Sequence, residues 1–181
     1  SFMDYQRRCT IIAVCRDDEC LRVSQNAAGA WLWWHSCYHL EMLIVVDTNV
    51  FVGACLGMEA SSTVIRNCIL GLHIPLMGNA LFSEHLDVLA RNAPFSKSKL
   101  GVNERNELLD IYLASCRWTP IYFGWRPNLA DEADNRLIEL AVAGNASHIV
   151  SRNLRDLRRA ELHFPSIHAV TPEHFLKETT P

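Results

Sequence analysis

Carboxylate residues stand at the ends or starts of several predicted secondary-structure elements of this chain. Asp47 directly follows the apolar run 43–46, and Glu84 lies early in a later predicted helix. Asp131 and Asp134 stand three residues apart at the start of another predicted helix, so their side chains lie close together. Because carboxylate oxygens are ligands that Mg²⁺ and Mn²⁺ prefer, the pattern predicts a divalent-metal site and metal-dependent chemistry on phosphate groups.

Each of these acids also has a purely structural explanation. Asp47 could simply cap the helix that follows it, and Glu84 could be an ordinary solvated helix residue. The spacing of Asp131 and Asp134 is also that of an N-cap followed by an acidic residue that the helix dipole favours. The order of the acids along the chain, rather than any one of them, therefore carries the prediction.

Polar residues accompany the acids at the predicted strand ends. Thr48 and Asn49 follow Asp47 and can hold its carboxylate by hydrogen bonds, a role that supports metal ligands. After a later strand come Ser151, which can steady a carboxylate, and Asn153, which can bind a metal-bound water. Because the C-terminal ends of parallel strands meet at one edge of a sheet, we expect these residues to lie near one another.

A dense group of basic residues follows the same late strand. It consists of Arg152, Arg155, Arg158 and Arg159. A solvated helix face would explain it, but its place beside the acids suits contact with a nucleic-acid phosphate backbone. The formal charge of the whole chain is −3, so any such binding depends on a local basic patch.

The elements that would position these residues are regular from Met42 onward. The predicted strands cover residues 43–46, 73–77, 118–122, 148–150 and 167–170. Helices are predicted from Asp47, from Ser61–Thr63, over 79–90, 103–116, 131–144 and 153–159, and from Thr171–Glu173. Strands that alternate with helices predict an α/β fold, a three-layer α/β/α open parallel sheet with its ligand site at the C-terminal strand ends.

Three residues give finer predictions about this fold. Pro75 indicates that its strand lies at a sheet edge or ends nearby, because proline cannot donate a ladder hydrogen bond. Leu86 is predicted on the core side of its helix by the apolar periodicity. Gly144 is predicted to end the preceding helix in the left-handed conformation.

Composition limits the other classes of function. The chain has 181 residues, of which 49% are hydrophobic, enough for one buried core. Its longest apolar run, 27–34, is too short to span a bilayer and lacks the flanks of a signal peptide. The seven cysteines are irregularly spaced without a C-x₂-C pair, which favours reduced thiols in a cytoplasmic protein over disulfides or zinc ligands.

The chain changes character near Glu41 and Met42. Before this point stand a β-like run, Thr10–Val14, and the tryptophan-rich run 27–34, which are compatible with a hairpin. Two explanations of residues 1–41 stay open: a mis-assigned translation start, with Met42 as the native one, or an accessory segment that packs on the sheet or mediates assembly.

From Met42 to about Leu176 the chain resembles the PIN-domain family, especially toxin components of prokaryotic toxin–antitoxin pairs related to VapC. The matching motifs are residues 42–50, 83–89, 134–141, 148–157 and 170–176. The resemblance implies a Mg²⁺- or Mn²⁺-dependent ribonuclease in which Asp47, Glu84 and Asp134 form the acidic, metal-binding triad. It divides the chain into an N-terminal extension, 1–41, and a PIN domain, 42–181.

The resemblance also implies partners and supporting residues. Asp131 is an extra acid, and Asn153 stands where many members have a fourth acid, which should lower metal affinity. Arg152 and Arg155, with Lys97 and Lys99, would hold the RNA backbone. A small antitoxin and a second copy of the chain are the implied protein partners. The antitoxin would insert an apolar helix that covers Phe51, Leu56 and Met58.

Two other functions remain compatible with the sequence. A PIN-like fold can serve as a catalytically weak or inactive binding module that acts through a protein partner, and Asn153 keeps this alternative open. Phosphoryl transfer through an aspartyl phosphate is the other alternative. Asn49 stands where enzymes of that class commonly have a second aspartate, which argues against it.

Overall fold

The structure, a computed structural model, describes residues 42–122, 132–157 and 164–179, with the backbone alone for residues 132–134, 156 and 157. These residues belong to one compact unit, Glu41–Pro181. The predicted hairpin of the N-terminal extension lies outside the described residues. Within them, every helix is too short or too polar to cross a bilayer.

The centre of the fold is a parallel sheet with the strand order β3-β2-β1-β4-β5. Its strands are β1 (Met42–Val46), β2 (His73–Met77), β3 (Arg117–Trp118), β4 (His148–Val150) and β5 (His168–Val170). β1 lies between β2 and β4, and residues 44–46 are fully buried. A continuous apolar run is what a strand covered on both faces requires, so the prediction from 43–46 is confirmed.

Helices connect and cover the strands. They are α1 (Thr48–Cys55), α2 (Glu59–Ile69), α3 (Asn79–Leu89), α4 (Val102–Ser115), α5 (Glu132–Ala143), α6 (Leu154–Leu157) and α7 (Pro172–Thr179). α2 contacts α4 and α7, whereas α5 contacts β1, β2 and β4. The predicted three-layer α/β/α architecture is confirmed, and the strands present their C-terminal ends at one edge.

Pro75 predicted either a sheet edge or a nearby strand end, and the edge position is wrong. β2 is flanked by β1 on one side and by β3 on the other. β3 has only two residues, shorter than the predicted 118–122, and it pairs only with Leu76 and Met77. Pro75 itself pairs with Ile44 of β1 and lies outside the β3 pairing, so its missing N–H is tolerated without an edge position.

Two helices start earlier in the structure than the sequence pattern predicts. α2 begins at Glu59, so Ser61–Thr63 lie inside it rather than cap it. α4 is capped at Gly101 and not at Asn103, because the Glu104 carboxylate accepts the Gly101 N–H at 2.6 Å. A glutamate at the third helical position can thus define a helix start that the sequence pattern placed two residues later.

The predicted role of Gly144 is also wrong. The residue with positive φ after α5 is Asn145, at 53°. A Cβ on Gly144 would overlap Cδ1 of Leu76 in β2. Glycine is therefore needed here because the end of α5 approaches the sheet closely, and the left-handed conformation falls one residue later.

Side-chain burial corrects two more predictions. Leu86 of α3 is largely exposed, whereas Leu81, His85 and Leu89 form the buried side of that helix. Phe51 is fully buried, with its ring centroid 5.6 Å from that of Tyr112. It therefore belongs to the core and is unavailable to an antitoxin.

The described cysteines are free thiols, as expected for reduced cysteines. They are Cys55, Cys68 and Cys116. Burial raises the pKa of Cys55 to about 11 and that of Cys68 to about 12, so both thiols stay protonated and unreactive at neutral pH.

Candidate active site

Asp47 joins the end of β1 to the start of α1. Its backbone N–H donates to the Val150 carbonyl at 3.0 Å, which continues the β1–β4 pairing by one residue. It is also the N-cap of α1, and its Oδ1 lies 3.4 Å from the Asn49 N–H. The capping role and the strand-end position are therefore both real, and together they hold the carboxylate at the C-terminal edge of the sheet.

Neutral donors surround the second carboxylate oxygen of Asp47. Oδ2 accepts the Ser151 hydroxyl at 2.6 Å and the Asn49 side-chain amide at 2.5 Å. The same Asn49 amide lies 3.2 Å from Ser151 Oγ, which also accepts the Asn153 N–H at 3.0 Å. The predicted proximity of Asn49, Ser151 and Asn153 to Asp47 is thus present in the structure.

The electrostatic setting of Asp47 suits a bound cation. Only 8% of the residue is exposed, and burial raises the pKa of its carboxyl, while hydrogen bonds from Ser151, Asn49 and Thr48 lower it in part. None of the ion pairs between described residues involves Asp47. A buried carboxylate held by neutral donors matches the oxygen donor that a hard divalent ion takes.

Glu84 lies on α3, which begins after β2, the neighbour of β1, at the same edge of the sheet. The residue is half-buried. A contact between two buried side chains ties its helix to α1, since Thr48 Oγ1 lies 3.2 Å from His85 Nδ1. The residues that follow Asp47 and Glu84 in the chain therefore touch each other. The sequence pattern alone did not indicate His85 as a residue next to the site.

Asp134 belongs to α5, which contacts β1 and β4, but its side chain lies outside the described part of the structure, as does the whole of Asp131. The described side chains contain no group of three His, Cys, Asp or Glu residues arranged to hold a metal. Because that set lacks Asp134, the triad with Asp47 and Glu84 stays a prediction.

The basic residues after β4 have different surroundings. Arg155 is exposed on α6. Arg152 Nη1 instead donates to Ser61 Oγ at 3.0 Å and lies 3.4 Å from Glu173 Oε1. Sequence reasoning missed Ser61, for which no signal exists. The strand order could have indicated Glu173, because it follows β5, the neighbour of β4.

Lys97 and Lys99 are exposed at the far end of α1. The residue between them, Ser98, donates through Oγ to the carbonyl of Cys55 at 2.7 Å. Cys55 is the last residue of α1 and Asp47 is its N-cap. At 1.5 Å per residue the two ends are about 12 Å apart along the helix axis, so these lysines do not adjoin the carboxylate.

Comparison with known proteins agrees with this architecture. A solved structure described as "Crystal structure of VapBC2 from Rickettsia felis bound to a DNA fragment from their promoter" matches with a TM-score of 0.50 and 16% identity, over 72% of this chain and 98% of that chain. No curated protein matches the sequence. The family model for the PIN domain matches residues 43–155, which is more than half of the chain. Sequence match, parallel sheet and carboxylate at the end of β1 agree, and the chain belongs to the PIN-domain family.

Proposed function

We propose that this protein is a Mg²⁺- or Mn²⁺-dependent endoribonuclease and the toxin of a toxin–antitoxin pair. The observation that carries the proposal is the buried Asp47 carboxylate, held by Ser151 and Asn49 at the C-terminal end of the central strand. Membership of the PIN-domain family supports the nuclease, and the likeness to a structure described as VapBC2 supports a small antitoxin as partner. A homodimer remains part of the proposal.

The metal ligands in this proposal are Asp47, Glu84 and Asp134, supported by Thr48, Asn49, Asp131, Ser151 and Asn153. A divalent ion bound there would stabilise charge on the phosphate and lower the pKa of an attacking water. Oδ2 of Asp47 is occupied by two short hydrogen bonds, whereas Oδ1 has a long 3.4 Å contact with the Asn49 N–H. The Asp47 carboxylate would hold the ion, and Oδ1 is the oxygen with the longer of these contacts.

The chain itself would position the ion and the RNA. Ser151 and Asn49 restrain the Asp47 carboxylate in one orientation, so little reorganisation is needed when a cation binds. Arg155, exposed on α6, would contact the RNA backbone near the strand ends. The contact of Arg152 with the RNA backbone, which the sequence also suggested, stays a prediction.

The test is cleavage of a panel of transfer, ribosomal and messenger RNAs by the antitoxin-free protein, with Mn²⁺, Mg²⁺ or EDTA. Asp47→Asn, Glu84→Gln and Asp134→Asn should each abolish metal-dependent cleavage. The matched control is Asp87→Asn, because Asp87 is an exposed acid on the same helix as Glu84. Full activity in Asp47→Asn would contradict the proposed site.

The alternative of a weak or inactive binding module rests on Asn153, which lies beside Ser151 at the proposed site. It predicts Mn²⁺ binding and antitoxin binding without cleavage of any RNA in the panel. Asn153→Asp should then tighten Mn²⁺ binding, because it adds a negative charge next to Asp47. Cleavage by the wild-type protein would exclude this alternative.

A further inference from the structure

We propose that Arg152 is a positioning residue, which holds the end of β4 against Asp47 and does not contact the RNA backbone. This inference rests on the proposed function for its catalytic consequence. Its structural part concerns the described contacts of Arg152 alone and can be tested without any activity.

The backbone of Arg152 orients the group that holds Asp47. Its N–H donates to Asn49 Oδ1 at 3.0 Å. The other end of that amide, Nδ2, donates to Asp47 Oδ2. An amide side chain can flip by exchanging its oxygen and nitrogen, and the Arg152 N–H selects the orientation in which the nitrogen faces the carboxylate. Displacement of residue 152 would therefore remove a donor from Asp47.

The side chain of Arg152 holds the backbone of residue 152 in place through contacts with two helices. Nη1 donates to Ser61 Oγ on α2 and lies 3.4 Å from Glu173 Oε1 on α7. Ser61 is fully buried, so its hydroxyl is a stationary acceptor. The guanidinium thus connects the end of β4 with two helices, a geometry to which its fixed fork of donors is suited.

Close packing of α1 against α2 keeps the Ser61 hydroxyl in place. A Cβ on Gly53 of α1 would lie 2.7 Å from Ser61 Oγ and 3.2 Å from Met58 Sδ. The glycine therefore leaves room for the hydroxyl that accepts from Arg152. A side chain at position 53 would push that acceptor away.

An RNA phosphate would compete with existing partners for Arg152. The side chain is only 31% exposed, and Glu173 already places a carboxylate beside Nη1. The pKa of Glu173 is lowered by its own backbone N–H, by the Thr171 hydroxyl and by Arg152, so it is ionised at neutral pH. Arg155, three residues later, is exposed as well, and none of the ion pairs between described residues involves it, so Arg155 is the better phosphate contact.

The experiment compares Arg152→Gln with Arg155→Gln. Binding of a labelled single-stranded RNA is measured by anisotropy in EDTA at several salt concentrations. Each lost phosphate contact should reduce the slope of log K against log salt by about 0.7. We expect that reduction in Arg155→Gln and an unchanged slope in Arg152→Gln. Arg152→Gln should instead weaken Mn²⁺ binding and lower kcat by about 10-fold, with KM unchanged.

Further variants separate positioning from loss of folding. Ser61→Ala and Glu173→Gln should weaken Mn²⁺ binding in the same direction, and Arg152→Lys should recover part of the loss. If Arg152→Gln fails to fold, as judged by circular dichroism, these variants carry the test. A reduced salt slope in Arg152→Gln, with unchanged Mn²⁺ affinity, would overturn the proposal.

A direct readout keeps this inference separate from the nuclease proposal. In ¹⁵N NMR spectra the Asn49 side-chain amide should shift and exchange faster with water in Arg152→Gln, Ser61→Ala and Glu173→Gln. Unchanged Asn49 signals in all three variants would refute positioning even in an active nuclease. A wild-type protein that binds neither RNA nor Mn²⁺ would refute the nuclease, while the Asn49 signals would still decide the role of Arg152.

Discussion

Thr48 Oγ1 and His85 Nδ1 lie 3.2 Å apart in the protein interior, although 37 residues separate them in the chain. The same Nδ1 lies 2.9 Å from the Leu81 carbonyl, which can only accept, so Nδ1 carries the hydrogen and Thr48 Oγ1 is a second acceptor that shares it. The pair therefore joins α1 to α3 at the positions directly after Asp47 and Glu84. Two proposed metal ligands thus each precede a residue of this contact.

Replacement of His85 by phenylalanine should loosen this connection while it preserves ring volume. The Thr48 hydroxyl, which is 3% exposed, would lose its partner at a cost of about 1–3 kcal/mol in unfolding free energy. We expect Mn²⁺ affinity to fall as well. Urea unfolding and Mn²⁺ titration measure the two effects. Leu86→Ala, at the exposed neighbouring position, is the control. Equal Mn²⁺ affinity in both variants would show that the contact between Thr48 and His85 contributes to stability but not to metal binding.

Three histidines should each make stability decrease as the solution is acidified. Burial lowers the pKa of His85 from 6.5 to about 4, and it lowers the pKa of His73 and His148 as well. Between these pH values the unfolded chain binds a proton that the folded chain excludes, so the unfolding free energy falls as pH falls. For His85 this loss is roughly 3 kcal/mol.

Urea unfolding at a series of pH values from 7 to 4 measures this dependence. His85→Phe should show a shallower decrease than the wild type, because it removes the largest of the three histidine contributions. A pH dependence that is equal in both proteins would show that folding leaves the pKa of His85 unchanged.

Asp47→Asn should stabilise the protein while it abolishes the proposed activity. Because burial raises the pKa of Asp47, the charged form is disfavoured in the folded state at neutral pH. A neutral amide avoids that penalty and can still accept from Ser151 and Asn49. We expect a gain of roughly 1 kcal/mol at pH 7, measured by urea unfolding.

The gain should shrink at acid pH, where the wild-type carboxyl is itself neutral. Addition of Mn²⁺ should reverse the order of stability, because the ion stabilises only the protein that binds it. A destabilised Asp47→Asn variant would mean that the charge is favoured by the fold itself.

Gly144→Ala should be strongly destabilising, because its Cβ would overlap Leu76 Cδ1. Overpacking of this kind costs about 1–3 kcal/mol. Thermal unfolding of Gly144→Ala, of Leu76→Val and of the double variant tests the contact. The double variant should lose less than the sum of the single changes. If the two losses in stability simply add, the cost of Gly144→Ala does not come from contact with Leu76.

The strand ends were predictable from sequence because they obey local rules. The apolar runs of β1 and β4 need burial on both faces, and parallel pairing then brings Asp47 and Ser151 together whatever the details of the helices. The orientation of each helix about its own axis, which decides which residues face the core, was not predictable. It depends on neighbours distant in sequence, which is why Leu86 is exposed and why Ser61 meets Arg152.

The hydrogen bond between Ser151 and Asp47 spans 104 residues. During synthesis, β1 and α1 leave the ribosome long before β4 exists, so the carboxylate lacks its hydroxyl partner until residue 151 has been made. Contacts of such high sequence separation form late. In a nascent chain the buried Asp47 carboxylate therefore lacks the hydroxyl that restrains it, and the proposed metal site can form only after β4 has paired with β1.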